Sequence, residues 1–442
     1  MLTPGDEIDA AIEKPAAGGR MIARHDGQVL LVAGAIPGER VSVRIERVEK
    51  RLAFGSAVRI LAPSADRRDA GSDPLCGGCV YAHIAYSRQV ALKAEIVTDA
   101  FTRIGRMPIE STVRVAASLE SGYRMRARLH VRKAAVGFYR EHTHEMCDAR
   151  HTYQLLPESM AAIDAALAAL GDARADVTSL ELSENMAGDE RAFHLDVMPD
   201  ARELESALTR AITAAGLTGC TARGRSGPLV RAGDPAVADP LPALTRGRAE
   251  SGRLRRQPAS FFQGNRFLLP DLVAAVLEAT PAGGSILDLY AGVGLFSVAL
   301  AATGRDGITA VEGDRQSAAD LKENAGSYPA AIRAIVGRVE DHVAGRREIA
   351  DTVIVDPPRS GISREAMDVI AGHGARRVIY VSCDPPTMAR DARRLLDAGY
   401  HLESLRGFDL FPNTPHVETV GVFDRESRTE PGGNRDQNEG TK

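Results

Sequence analysis

From Ser260 onward the chain alternates short apolar strands with segments of helical period, and few folds accommodate that rhythm. The strands are "SILDLY", "ITAVE", "AIRAIVG", "DTVIVD" and "RVIYVS". Between them, "RQSAADLKENA", "REAMDVIAGHG" and "PTMARDARRLLDAG" repeat apolar residues at helical spacing. Strands joined through helices must cross over, so they lie parallel with helices on both faces of the sheet. The expected class is α/β, a doubly wound Rossmann-like domain over residues 259–425. Its end departs from the rhythm. "YHLESLRGFDLF" and "HVETVGVFDR" follow one another without a helix, as an antiparallel pair at a sheet edge does.

The preceding residues read differently. Over 1–62, Gly-Gly, Asp-Gly and Pro-Gly punctuate short alternating runs such as "RVSVRIERVEK". Five strands in so short a span predict a small closed or partly open β-barrel of oligonucleotide-binding type. Residues 63–258 mix both element types: a helical run from Gln89, then strands within Tyr123–Arg140, then "ESMAAIDAALAAL" and "ARELESALTRAITAAG" as helices around two more strands. Tyr123–Arg140 holds six Lys or Arg and no acid, which suits either a solvated sheet face or one that contacts phosphates. The polar stretch 426–442 is expected to be disordered.

Net charge is −4, so nucleic-acid binding must rest on local patches rather than a global field. No apolar run reaches the roughly 18 residues of a membrane span, and the first residues lack signal-peptide order. A cytoplasmic protein is expected. The five cysteines include one CxxC pair, Cys76 and Cys79; in a cytosolic chain such a pair is a metal, cluster or redox element rather than a disulfide framework.

"ILDLYAGVGLFSVALA" is a strand, a Gly-rich turn from Ala291 to Gly294, and a helix, the arrangement that lets backbone approach a ligand. Glu312 lies twenty residues beyond Gly292, where a carboxylate can accept both ribose hydroxyls. That spacing serves a dinucleotide or S-adenosylmethionine (SAM) equally. Two glycines in Asp288-x-Tyr-x-Gly-x-Gly and the antiparallel ending favour a SAM-dependent methyltransferase. Asp356-Pro357-Pro358-Arg359 ends the fourth strand, on the same edge as the Gly turn. Arg359 stands where methyltransferases of amino nitrogens place an aromatic residue. Cys383 ends the fifth strand. Alone it reads as a small residue closing a buried strand, or as a nucleophile. Carbon 5 of a pyrimidine attacks a methyl donor only after a thiolate adds to carbon 6, and a base must then remove the carbon-5 proton. Such chemistry surrounds one flipped base.

"FFQGNRF", "LDLYAGVGLFSVALA", "VEGD", "IVDPPRSG", "YVSCDPPTMARD" and "FDLFPNTPHVETV" occur here in the order found in RNA uracil-5 methyltransferases, and the chain resembles that family. More loosely, residues 1–62 resemble its TRAM domain, an RNA-binding barrel, and "CGGCVYAHIAYSRQVALK" with "SGYRMRARLHV" its central domain. The resemblance implies Cys383 as nucleophile and Glu418 as the base for the carbon-5 proton. It implies Gln263, Tyr290, Gly292 and Glu312 around SAM, with Asp356 between cofactor and uracil. It favours a monomer acting on ribosomal RNA. Transfer RNA, or an RNA-binding protein that keeps the fold without the chemistry, are the alternatives. Family members with a four-iron four-sulfur cluster carry four cysteines. Cys76, Cys79 and Cys147 match three, while Ala70 occupies the place of the first. Asp69 or Asp73 could substitute, so the expectation is a four-iron four-sulfur cluster on the one hand, or an altered, labile or absent metal site on the other. Cys220 has no family role and is expected to be buried and inert.

Overall fold

The computed structural model describes residues 2–425 apart from 72, 74, 110–111, 134, 141–142, 199–203, 226, 228, 345–349 and 373; the stretch 426–442 lies outside the described residues. The first five strands close on themselves. They are β1 (Glu7–Pro15), β2 (Met21–His25), β3 (Gln28–Ala33), β4 (Arg40–Val48) and β5 (Leu52–Ala62), paired in the ring β1-β2-β3-β5-β4. Alternation in β4 sends Val41, Val43 and Ile45 inward and Arg40, Arg44 outward, which is why a period-two run of apolar and charged residues makes a barrel wall.

After the helix α1 (Tyr86–Arg103) and the short β6 (Arg114–Ala116), a seven-stranded sheet forms from β7 (Arg126–Arg132), β8 (Ala135–Tyr139), β9 (Met146–Asp148), β10 (Val177–Glu184), β11 (Arg191–Val197), β12 (Gly219–Gly224) and β13 (Leu229–Gly233). Helices α2 (Pro157–Ala169) and α3 (Glu205–Ala215) share a core with Leu129, Val131, Leu180 and Phe193 on one of its faces. Cys220 is buried in that core, as expected. The opposite face carries Arg126, Arg128 and Arg132 at alternate positions. Acids on the neighbouring strands answer two of them: Glu181 lies 3.6 Å from Arg126, and Asp196 lies 2.9 Å from Arg128.

A two-stranded ribbon, β14 (Val237–Pro240) and β15 (Arg253–Arg256) with the turn of helix α4 (Leu241–Leu244) between them, leads into the C-terminal sheet. That sheet is built from β16 (Ile286–Leu289), β17 (Ile308–Glu312), β18 (Ile332–Val336), β19 (Thr352–Val355), β20 (Arg377–Ser382), β21 (Tyr400–Phe408) and β22 (Glu418–Arg425). Its helices are α5 (Leu269–Ala279), α6 (Leu295–Ala302), α7 (Arg315–Ala325), α8 (Val339–Val343), α9 (Arg364–Gly372) and α10 (Pro385–Asp397). The strand order is β18-β17-β16-β19-β20-β22-β21-β6, with β16–β20 mutually parallel and β22 antiparallel to both its neighbours. The doubly wound expectation holds. The terminal pair, however, is not at the edge. β6 adds in parallel to β21 at Arg406–Phe408, covering a strand whose backbone groups would otherwise be unpaired. Among the described residues no helix is long and apolar enough to cross a membrane.

Helix α1 belongs spatially to this sheet too, packing on α10 and β21. Its Lys93 is fully buried and bonds Asp409, also fully buried, just past β21; the same ammonium donates to the Phe411 carbonyl at 3.0 Å. Burial pulls the Lys93 pKa down and pushes that of Asp409 up, and each group opposes that effect on the other. Further along the same loop Asn413, at φ 63°, is held from three sides. Gln89 exchanges two 2.9 Å bonds with it, and Arg68 and the Tyr81 amide bond it at the same distance. Gly19 of the β1–β2 turn lies so close to Pro415 that a Cβ there would sit 2.9 Å from the proline ring. The loop between β21 and β22 is therefore set by the upstream half of the chain. Lys93→Ala leaves the Asp409 carboxylate buried without a counter-charge and should cost about 3–5 kcal/mol in denaturant unfolding. Lys93→Met with Asp409→Leu should recover most of that loss.

Candidate active site

The C-terminal edge of the parallel strands gathers the predicted residues. Strand β16 runs into Tyr290, Gly292 and Gly294, all with positive φ (61°, 57° and 91°). At Gly294 only glycine fits, because a Cβ would come within 2.9 Å of Leu321 in addition to the left-handed backbone. The turn presents its amides, and the Gly292 N–H donates to Glu312 at 2.8 Å. The Asp314 amide donates to the same carboxylate at 2.6 Å, which fixes the acid at the end of β17. Burial holds the Glu312 pKa above its ordinary value despite these bonds.

Below the turn lies Asp288, which the sequence marks only as a motif position. It is fully buried; its Oδ2 accepts from the Ser297 hydroxyl, and its Oδ1 has no hydrogen-bond partner. Burial pushes its pKa up to about 7. Asp356, past the end of β19, accepts from the Gln263 amide at 3.3 Å and is raised in turn, by burial first and then by Asp288. Phe261, Phe262, Tyr290 and Phe296 line the pocket with Gln263 and Asp356. Three buried or half-buried carboxyl groups around an apolar pocket, one with an orphaned oxygen, make a site short of positive charge. A sulfonium cofactor with a ribose fits that donor set: Glu312 for the ribose, the acids for the cation, the aromatic walls for the base.

Sheet register decides the rest. Ser382 of β20 pairs with Thr419 of β22 in antiparallel register, and the Thr419 hydroxyl donates to the Ser382 carbonyl at 2.9 Å. One residue beyond that pair stand Cys383, just past β20, and Glu418, the first residue of β22, and the Glu418 carboxyl acts on the Cys383 thiol. Glu418 is 2% exposed, because β22 is an inner strand and not an edge. Burial raises its pKa well above the ordinary value, Asp356 raises it further, and Arg359 opposes both. The Cys383 thiol is pushed up to about 11, chiefly by burial and then by Glu418, with Arg359 pulling the other way. His416, forced down to about 4 by burial and then by Arg359, is neutral. The structure thus adds Arg359, His416 and Asp288 to the predicted set. Arg359 was legible only as the residue after Asp-Pro-Pro; its facing the thiol is tertiary. The second Asp-Pro-Pro serves the helix instead. Asp384 caps α10, accepting the Thr387 amide at 2.8 Å, with Pro385 opening the helix.

The comparisons agree with this geometry. A TRAM domain model matches residues 2–58, and a model of tRNA (uracil-5-)-methyltransferases matches residues 336–426. A 23S rRNA (uracil(1939)-C(5))-methyltransferase RlmD of Halomonas elongata is 32% identical, over 93% of this chain and 88% of that protein. The RlmD of Thiobacillus denitrificans is 31% identical, over 92% of this chain and 97% of its own. The chain belongs to the RNA uracil-5 methyltransferase family. A crystal structure of a Pyrococcus abyssi tRNA (uracil-54, C5)-methyltransferase with S-adenosyl-L-homocysteine superposes with a TM-score of 0.71, covering 94% of this chain and 99% of that one at 22% identity, which supports the fold.

As a family member the chain departs at its cysteines. Cys76, Cys79 and Cys147 are buried together, with Ala70 and Phe138 packed against them. Ala70 thus occupies the corner where a fourth thiolate is required. Cys76 and Cys147 are joined by a disulfide. The proposed substitutes are engaged elsewhere: Asp73 receives Arg140 at 2.6 Å and the Leu75 amide at 3.0 Å, and Asp69 accepts the Gly71 amide. This donor set does not fit a four-iron four-sulfur cluster.

Two outcomes follow. Protein purified anaerobically should be colourless and iron-free, and non-reducing digestion should release a linked Cys76–Cys147 peptide. Alkylation of Cys383 should rise with pH toward about 11. In Arg359→Ala the profile should move further alkaline, slowing alkylation at pH 8 by about tenfold per unit of displacement.

Proposed function

We propose that this RNA uracil-5 methyltransferase acts on a uridine of 23S ribosomal RNA, in the cytoplasm and as a monomer, through a covalent bond between Cys383 and the base. The observation that carries the reading is the β20–β22 register, whose last pair, Ser382 and Thr419, is followed by Cys383 and preceded by Glu418, with Asp356 acting on both. The names of the RlmD relatives support ribosomal RNA, and the completeness of the site within one chain supports a monomer. The names of the matched family model and of the Pyrococcus structure favour a second reading, transfer RNA.

Glu312, Gly292, Tyr290 and the Asp288–Asp356 carboxyls would hold SAM, which would supply the methyl group. The remaining work falls to the chain. Cys383, its proton released to solvent, adds through Sγ to carbon 6 and sends electron density to carbon 5 and the carbonyl oxygen. Arg359 favours the thiolate and is a cation placed to stabilise negative charge beside it. Asp356, which holds its proton unusually tightly, and the Gln263 amide together offer a donor and an acceptor to the uracil edge. Once carbon 5 carries the methyl group, Glu418 removes the carbon-5 proton; the double bond reforms and the thiolate leaves. The raised pKa of Glu418 suits it to accept that proton.

With SAM and RNA bearing 5-fluorouridine, the protein should form a covalent adduct resolved by denaturing electrophoresis, and Cys383→Ser should form none. Absence of any adduct with both 23S fragments and transfer RNA would remove the nucleophile; an adduct with transfer RNA alone would favour the second reading. Glu418→Gln should trap the adduct on ordinary uridine and slow turnover by about 10²–10⁴-fold.

A further inference from the structure

Away from the catalytic edge, the barrel and the cysteine-bearing loop of the central domain face each other across a cleft of about 540 Å³. Its floor is Phe54 of β5, a half-buried ring on a barrel strand. The Arg47 guanidinium lies 4.0 Å from the ring centroid and that of Arg20 5.7 Å away. The opposite wall is Leu75, beside Cys76, and Arg140, which forms an isolated bridge with Cys76. The disulfide fixes this wall, since it ties the loop carrying Leu75 to the strand after Arg140.

The charges in the cleft are ordered unequally. Arg20 is pinned by Glu46 at 3.1 Å and the Gly55 carbonyl at 3.0 Å, and Arg140 by Asp73 and Glu145, each at 2.6 Å. Both acids of the lining, Glu46 and Glu145, are thereby consumed by cations of the lining. Arg47 is different: its side chain is 62% exposed, and besides the Phe54 ring its ion-pair partner among the described residues is Glu49, outside the cleft, at 3.2 Å. The cleft therefore offers an aromatic face, a wall tied by the disulfide and one exposed cation. It also adjoins the catalytic loop. Arg20 follows Gly19, whose backbone packs on Pro415, three residues before Glu418.

We propose that this cleft is a second nucleotide subsite, which takes one unpaired base of the RNA strand flanking the target uridine. The base stacks on Phe54 in the place now covered by Arg47, and Arg47 swings out to the phosphate. The subsite rests on the reading that the substrate is RNA and adds that the strand is single-stranded at this point, since a paired base cannot enter between two domains. Stacking on an aromatic platform beside a cation is how sequence-tolerant single-strand grooves gain affinity. A barrel paired with a separate domain explains why the platform lies at their junction.

The test is fluorescence anisotropy of the full chain with a uridine-rich single-stranded RNA, together with photocrosslinking of the same RNA carrying 5-bromouridine. Phe54→Ala should weaken binding roughly 5- to 150-fold, the worth of one base–aromatic stack, and should abolish crosslinks to the β5 peptide. Phe54→Tyr should retain both. Arg47→Ala should lower the salt dependence of binding by about one phosphate contact. Melting temperature and SAM affinity report whether each variant is folded. Native affinity and salt dependence in Phe54→Ala and Arg47→Ala overturn the subsite, as does a cleft that binds uridine monophosphate while RNA crosslinks map only to the catalytic domain. If the fluorouridine adduct still forms in that case, the subsite fails and the catalytic reading stands. If the wild type binds no RNA, both fail.

Discussion

The buried pair Lys93–Asp409 is the constraint on which the site depends. Two ionisable groups sit out of water in an interface between a helix from early in the chain and a loop near its end. Neither side tolerates removal of the other, so the pair works as a register pin more than as a source of net stability. From it the loop continues through Asn413, itself locked by Gln89, Arg68 and the Tyr81 amide, to Pro415 under the barrel turn and then into β22. Glu418 is the first residue of that strand. The position of Glu418 is thus dictated by segments some three hundred residues upstream, and the TRAM barrel touches the same loop.

Electrostatically the site is built for a visitor with positive charge. Asp288, Glu312, Asp356 and Glu418 all hold protons more tightly than free carboxyls do, mainly through burial. Arg359 is the cation that opposes this trend at both Cys383 and Glu418. The acids on the cofactor side gain most when a cation arrives. The thiol, by contrast, gains nothing from its acidic neighbours, and burial keeps it protonated at neutral pH. An arrangement of this kind limits the reactivity of the cysteine toward small electrophiles while its partners are absent.

Much of this was legible in the sequence because it is local. Strand and helix periods gave the doubly wound sheet, and turn chemistry gave the Gly292–Gly294 bend. The succession Asp356, Cys383, Glu418 placed three groups on adjoining strand ends once the strand order was known. What escaped was tertiary. The terminal antiparallel pair looked like a sheet edge, where Glu418 reads as a surface charge; β6, from a segment with no strand signal of its own, covers that edge. Nothing in "DPPRSG" reveals that Arg359 faces a thiol. Cys76 and Cys147 are 71 residues apart, and their pairing depends on how β8 and β9 bring the CxxC loop to Cys147. The absence of a cysteine at Ala70 was visible at once, but not that the alanine methyl packs against the remaining three.

The strand β6 has one more consequence, for how such chains can be recombined. A methyltransferase half beginning at Ser260 would expose the Arg406–Phe408 edge of β21 and leave Asp409 without its counter-ion. The upstream and methyltransferase halves are therefore not interchangeable at the boundary that composition suggests. A workable chimera has to inherit α1 and β6 together with the catalytic sheet. Exchange of specificity among relatives is thus confined to junctions that keep residues 86–116 with the domain they complete.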